Sequence, residues 1–138
     1  MSFERDVKRL TEKYRKRMRA TARTAVQDLE GEITATRGEG GRLRIDTGFL
    51  RASLGWNVGS LPSGPTDNPG GNVSAGAVLT GVPLTVALAQ WDFSRPIFGG
   101  FSASYARPRE AKDGFLRGGV EKWDSIVDSA AKRVRARI

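Results

Sequence analysis

Histidine and cysteine are both absent from this 138-residue chain. Without thiols there is no disulfide framework and no thiolate nucleophile, and without imidazole the commonest zinc sites and His-based triads fall away. Redox chemistry is therefore silent on compartment. Nowhere is there a run of about 18 apolar residues, and the N-terminus MSFERDVKRL is charged from residue 4 onward, without the apolar core of a signal peptide. The expectation is a soluble, non-exported product with no membrane contact. No glycine cluster is followed by Lys-Ser or Lys-Thr, so there is no Walker loop, and Gly38, Gly40 and Gly41 do not match the dinucleotide fingerprint. Two pairs of carboxylates occur. Glu30 and Glu32 fall on different sides of a helix, and Asp124 and Asp128 share a face with Lys residues, so solvated surfaces account for both. The serines have no imidazole partner, and nothing in the sequence singles out a Ser–Lys dyad. Neither catalysis nor a cofactor is expected.

What the chain does have is positive charge, placed unevenly. Lys and Arg number 23 against 15 Asp and Glu, a net +8. Residues 1–37 hold 10 basic against 6 acidic side chains, residues 38–106 hold 4 of each, and residues 107–138 hold 9 against 5. The excess thus lies on the two ends. Both ends read as helices, which puts the charge on helix surfaces rather than in a pocket. An acidic partner or a solubilising face are the two readings of that pattern. The length suits one domain spanning 1–138.

Phe3, Val7, Leu10, Tyr14, Met18, Thr21, Ala25, Leu29 and Ile33 recur at spacings of three and four, tracing one stripe along a helix of about 30 residues, or roughly 45 Å. Ser2 is placed to cap it, with Glu4 and Asp6 at its positive end. A helix of that length outruns a small core, so it should also pack on the C-terminal helix or on a neighbouring subunit. The opposite face carries Arg5, Lys8, Arg9, Lys16, Arg19 and Arg23. Gly38, Gly40 and Gly41 mark the loop that follows.

The stretch IDTGFLRASL predicts a short helix capped by Asp46, with Thr47 as its first residue and Ile45 and Leu50 as a hydrophobic staple. Arg51 should point outward and Gly55 should stop the helix, leading into a half-buried strand around Trp56 and Val58. Residues 60–76 are rich in Pro, Gly, Ser and Asn and read as a long flexible loop. A short helix from about Pro83 to Trp91 follows, with a strand as the alternative because Val78, Val82, Thr85 and Val86 are β-branched. RPIFGGFSAS reads as a strand bulged or turned at Gly99 and Gly100. YARPREAKD is a short helical or irregular connection. Phe115, Leu116, Val120, Trp123, Ile126, Val127, Ala130 and Val134 then predict one amphipathic helix from about Gly114 to Ala136. The expected fold is α+β, a small antiparallel sheet packed with long N-terminal and C-terminal amphipathic helices. Tyr14 and the tryptophans Trp56, Trp91 and Trp123 are assigned to the core rather than to base stacking.

Nucleic-acid contact has a clear basis in composition. KYRKRMRATAR and AAKRVRARI offer Lys13, Lys16, Arg19, Arg23, Arg133 and Arg137 to phosphates or an acidic surface. No helix-turn-helix or finger is present to read sequence.

Taken in order, DTGFLRASLGW, SYARPRE and GFLRGGVEKWDSIVDSAAKRVRA resemble a family of small tailed-phage proteins, the neck or tail-completion family, also called head–tail joining proteins or minor tail components. The resemblance runs along the whole chain and rests on the order of short motifs. These are a long N-terminal helix, Asp46, Thr47 and Gly48, a turn with Leu50, Arg51 and Ser53, a variable loop, Tyr105 and Ala106 with Glu110 nearby, then Phe115 and Trp123 leading a C-terminal helix. It implies a non-enzymatic virion protein of the neck, made in the host cytoplasm. It also implies a ring of copies of itself between the head connector and the tail terminator or tail-tube proteins. Ring closure uses head-to-tail contacts. On this reading Arg51 and the loop residues Pro62, Pro65, Asp67 and Pro69 form the interface, the loop ordering as it docks. The basic helices then face acidic ring surfaces or the DNA conduit, where contact with DNA would be nonspecific. The competing expectation is a small DNA-binding or DNA-packaging accessory protein.

Overall fold

The computed structural model describes residues 2–45, 48–64, 67–68, 72–74 and 76–137. The fold is α+β. Its elements are α1 (Phe3–Thr34), a 3₁₀ turn (Arg37–Glu39), α2 (Phe49–Ala52), β1 (Leu54–Val58), α3 (Leu84–Gln90), β2 (Ile97–Phe101), α4 (Ala106–Asp113), α5 (Phe115–Glu121) and α6 (Trp123–Arg137).

α1 has the expected length, but only its second half belongs to the core, through Ala25, Val26 and Ile33. Ser2 holds the N-cap backbone position without a side-chain cap bond, correcting the expected cap. Glu4 and Asp6 are left to serve the positive end of the dipole. Tyr14 is not a core residue: it is 57% exposed and lines an open cavity rather than packing into either apolar cluster. After α1 the backbone doubles back, with Leu43 N–H donating to the Ala35 carbonyl (3.2 Å) and Arg37 N–H to the Leu43 carbonyl (3.1 Å). Leu43 is thereby driven fully into the interior.

α2 starts later than the sequence suggests. Gly48, with φ +85°, holds the N-cap position and Phe49 is the first helical residue. Asp46 and Thr47 lie outside the described residues. With the start shifted, Ile45 and Leu50 do not occupy staple positions: Ile45 is exposed and Leu50 buried. Gly55 is not a helix stop but the second residue of β1, and Ser53 is the C-cap. A Cβ at Gly55 would lie 1.9 Å from the Thr80 carbonyl oxygen. The 80–82 segment therefore crosses that point as a third, short rung, with Trp56 and Val82 exchanging two 3.0 Å backbone bonds.

β1 and β2 pair antiparallel, Leu54 opposite Phe101, Gly55 opposite Gly100 and Trp56 opposite Gly99. The expected bulge at Gly99 and Gly100 is absent, and both glycines stay in register. Their place follows from the partner strand, since a Cβ at Gly99 would sit 2.5 Å from the Trp56 indole. Trp56 is buried, while Trp91 is half-buried and stacks on Phe93 at 3.9 Å. Two apolar clusters result. One joins Val26 and Ile33 of α1 to Leu54, Trp56, Leu84, Ala87 and Leu88, and the other joins Leu43, Phe49 and Leu50 to Ala103, Ala106 and Phe115. Phe101 packs against both.

The C-terminal helix is two helices rather than one, broken at Lys122. The cause is the close crossing of α5 over α1, where a Cβ at Gly119 would come within 2.3 Å of Ile33. Past that crossing the chain re-aims, and α6 runs back along α1 with Ala130 and Val134 buried. Lys122 pairs with Glu32 and Arg133 with Asp28, tying α6 to α1 at two points. Trp123, expected in the core, is 38% exposed at the start of α6.

Candidate functional site

The Gly48–Ser53 turn occupies a junction of three chain segments. Gly48 is required there twice over, because its φ is positive and because a Cβ would stand 2.7 Å from the Val73 carbonyl oxygen. Phe49 and Leu50 anchor the turn in the second apolar cluster. Ser53 is fully buried, and its hydroxyl donates to the Leu50 carbonyl at 2.7 Å. The Ser53 carbonyl in turn accepts from Ser102 N–H (3.0 Å) and the Ser102 hydroxyl (3.2 Å). Thr80 donates to the Ser102 hydroxyl at 2.9 Å, and Leu79 N–H to the Ala52 carbonyl at 3.0 Å. These groups satisfy one another, so the motif fixes the surface it presents.

That surface is a cationic depression of about 620 Å³ lined by Arg44, Ile45, Gly48, Leu50, Arg51, Asn68, Tyr105 and Arg109. Tyr105 reaches it from the start of α4, its ring 6.1 Å from Phe49. Arg51 is half-buried rather than fully outward. Arg109 is oriented by Asp113, whose side chain is buried and accepts from Arg109 Nη2 at 2.7 Å and from Arg37 Nη2 at 3.2 Å. Beside this region the Glu39 carboxyl is held below its ordinary range. The Thr36 N–H contributes most, then the Thr36 hydroxyl, with the Arg51 charge adding to them. Three guanidinium groups around an apolar floor offer forked donors to carboxylates or phosphates.

Glu110 does not face the depression. Its two oxygens accept from Leu116 N–H (2.8 Å) and Arg117 N–H (2.9 Å), capping the first turn of α5 across Gly114, whose φ is +68°. Its place in the motif is thus a hinge between α4 and α5.

The basic residues separate into two sets. Arg15, Lys16, Arg19 and Arg23 lie together on one face of α1. There Arg19 and Arg23 stand over the Phe93 ring at 5.3 and 4.9 Å, and Arg23 Nη2 donates to the Trp91 carbonyl at 3.0 Å. Lys13 is exposed on a neighbouring face. On α6, Arg133 is committed to Asp28 and only Arg137, of the two named there, is uncommitted and exposed among the described residues. Of the two carboxylate pairs, Asp124 and Asp128 are exposed, as a solvated face requires, but Glu30 and Glu32 are half-buried. Glu30 accepts from the indole N–H of the buried Trp56 at 2.6 Å and Glu32 pairs with Lys122, which corrects the expectation of a solvated surface there.

Of the proposed interface residues, Arg51 lines the depression, Pro62 is half-buried near Gly81, and Asp67 is exposed. Pro65 and Pro69 lie outside the described residues. Among described residues between 60 and 76 there is neither helix nor strand. Sequence reasoning missed Arg44 and Arg109 as neighbours of Arg51, and no spacing rule links them. A separate, larger cavity of about 1030 Å³, mostly apolar but lined also by Arg17 and Arg135, opens between α1, the sheet and α5–α6, away from the motif. No group of acidic side chains able to hold a metal ion exists among the described residues, and no described helix is long and apolar enough to cross a membrane. Comparison of the chain with protein-family models, curated proteins and solved structures returns no match.

Proposed function

We propose that this chain is a non-enzymatic structural component of a tailed-phage or phage-like neck, assembling as a ring that joins the head connector to the tail. The observation that carries the reading is convergence. Gly48, Leu50, Arg51 and Tyr105, drawn from two separate motifs, line one surface depression together with Arg44 and Arg109. A guanidinium-rim surface on a rigid hydrogen-bonded knot suits docking to an acidic protein surface, whereas no nucleophile–base pair stands in it among the described residues. The 60–76 segment borders it through Asn68, which makes that segment the natural second half of the contact.

A second reading has its own support: the basic face of α1, with Lys16, Arg19 and Arg23, suits nonspecific phosphate contact by a DNA-binding or packaging accessory protein. Electron microscopy of particles made when the gene is deleted from the phage, prophage or gene-transfer element carrying it separates the two. DNA-filled heads beside free full-length tails are the expected result. Empty heads favour packaging, and intact infectious particles overturn the structural role.

A further inference from the structure

The apolar line of α1 is covered over only one half of its length. Leu29 and Ile33 lie under the crossing of Gly119, and Ala25 is buried as well. Toward the N-terminus every residue from 3 to 16 except Asp6 is exposed, and so is Met18. Yet the line continues there, with Phe3 81% and Met18 72% exposed and Val7, Leu10 and Tyr14 between them. Spacings of four, three, four and four are those along which one helix seats another.

The two halves meet at the 1030 Å³ cavity. Tyr14 and Met18 line it from α1, Trp123 and Val127 from α6, and Trp56 and Phe101 from the sheet. The exposed line and the cavity are therefore one continuous surface. From Phe3 to Ala25, which also lines the cavity, α1 rises about 33 Å at 1.5 Å per residue. A helix of about 20 residues covers nearly that length.

The charge on this surface has one sign. Among the described residues the ionic side chains lining the cavity are Arg17 and Arg135, with no carboxylate beside them. Asp124 and Asp128 are exposed on α6 but stay outside the lining. Residues 3–20 add eight Lys or Arg against three acids. A second copy's basic first helix would bring like charges together, which costs binding, whereas carboxylates flanking an apolar seam would meet guanidinium groups. We propose that this surface receives an acidic amphipathic helix from a different protein, laid along α1 with its apolar seam on Phe3–Met18 and in the cavity, and its carboxylates at Arg17 and Arg135. The contact stands on this surface alone and does not depend on the neck reading.

The test titrates the full chain by calorimetry with two synthetic helical peptides of about 20 residues. Both carry the same leucine seam at three–four spacing, flanked by Glu in one and by Lys in the other. The Glu peptide should bind at least about tenfold more tightly at low salt, and the difference should shrink at about 0.5 M salt. Leu10→Asp with Tyr14→Asp, both at exposed positions and checked for folding by circular dichroism, should weaken it at least about tenfold. Arg135→Glu, also exposed, should narrow the preference for the Glu peptide, and Arg17→Glu added to it should reverse that preference. Failure of the Glu peptide to bind, equal binding of both peptides, or indifference to the Leu10 and Tyr14 changes overturns the proposal. So does wild-type self-association in sedimentation velocity that Leu10→Asp abolishes, since the seam would then belong to a second copy.

Discussion

The Trp56 indole lies over its register partner Gly99, so close that a Cβ there would meet Cζ3 at 2.5 Å and Cε3 at 2.6 Å. The aromatic ring fills the space a side chain on β2 would need. Its N–H is held from the other side by Glu30 at 2.6 Å. Gly99→Ala should therefore cost about 1–3 kcal/mol by overpacking. Urea unfolding checks this, and the loss should shrink when Trp56→Phe is combined with it.

Gly48→Ala should be as damaging for a different reason. It places an L side chain at φ +85° and against the Val73 carbonyl, and the left-handed backbone alone costs about 1–2 kcal/mol. Ser53→Ala, which removes only the bond to the Leu50 carbonyl, should cost about 1 kcal/mol. A larger loss for Ser53→Ala than for Gly48→Ala in thermal unfolding would contradict this account of the knot.

The turn from α4 to α5 depends on two acids with separate tasks. Glu110→Ala should destabilise by about 1 kcal/mol and speed amide exchange at Leu116 and Arg117, the donors it caps. Asp113→Ala leaves Arg109 without its buried acceptor and should cost about 2–3 kcal/mol. Exchange at Leu116 and Arg117 should respond much less to the second change.

Glu39 titrates below its ordinary value in the folded chain because the Thr36 N–H, and after it the Thr36 hydroxyl, bond its ionised form. The folded pKa being depressed, its stabilising contribution is present above the unfolded value and lost as pH falls through the folded one. Thr36→Ala removes the hydroxyl but keeps the N–H. The Glu39 carboxyl resonance should then titrate at higher pH, part of the way back to normal, in an NMR titration.

Duplex binding, under the neck reading, should be weak and salt-labile. Lys16→Glu with Arg19→Glu should reduce it further, and the slope of log K against log salt should fall by about 0.9 for each phosphate no longer neutralised. Fluorescence anisotropy with unrelated duplexes measures this. Tight binding that survives 200 mM salt, roughly where proteins held by several phosphates normally let go, would turn the assignment toward packaging.

Local patterning accounts for much of this molecule. The three–four spacing locates α1 and the α5–α6 region, Pro83 locates α3, and composition marks 60–76 as a stretch whose described residues form neither helix nor strand. Spacing identifies a face, however, and not what covers it, which is why Tyr14 and Trp123 read as core and are exposed. Gly99 reads locally as a bulge because its reason, the Trp56 ring, belongs to another strand. The break at Lys122 has no Pro or Gly at the site itself and follows from the crossing of Gly119 over Ile33. Arg44, Arg51 and Arg109 meet only because α4 is packed against the motif, so the cationic depression has no linear signature.

The crossing at Gly119 also sets a schedule. The flank of α1 that receives α6 is complete at Thr34, while α6 begins at Trp123, 89 residues later. At about 5–20 residues per second the ribosome takes some 4–18 s to supply the missing partner. Throughout that interval a basic helix with a bare oily flank is exposed to whatever lies nearby. Nascent-chain folding should therefore finish late and abruptly, and chaperone engagement should concentrate on the first helix rather than on the sheet.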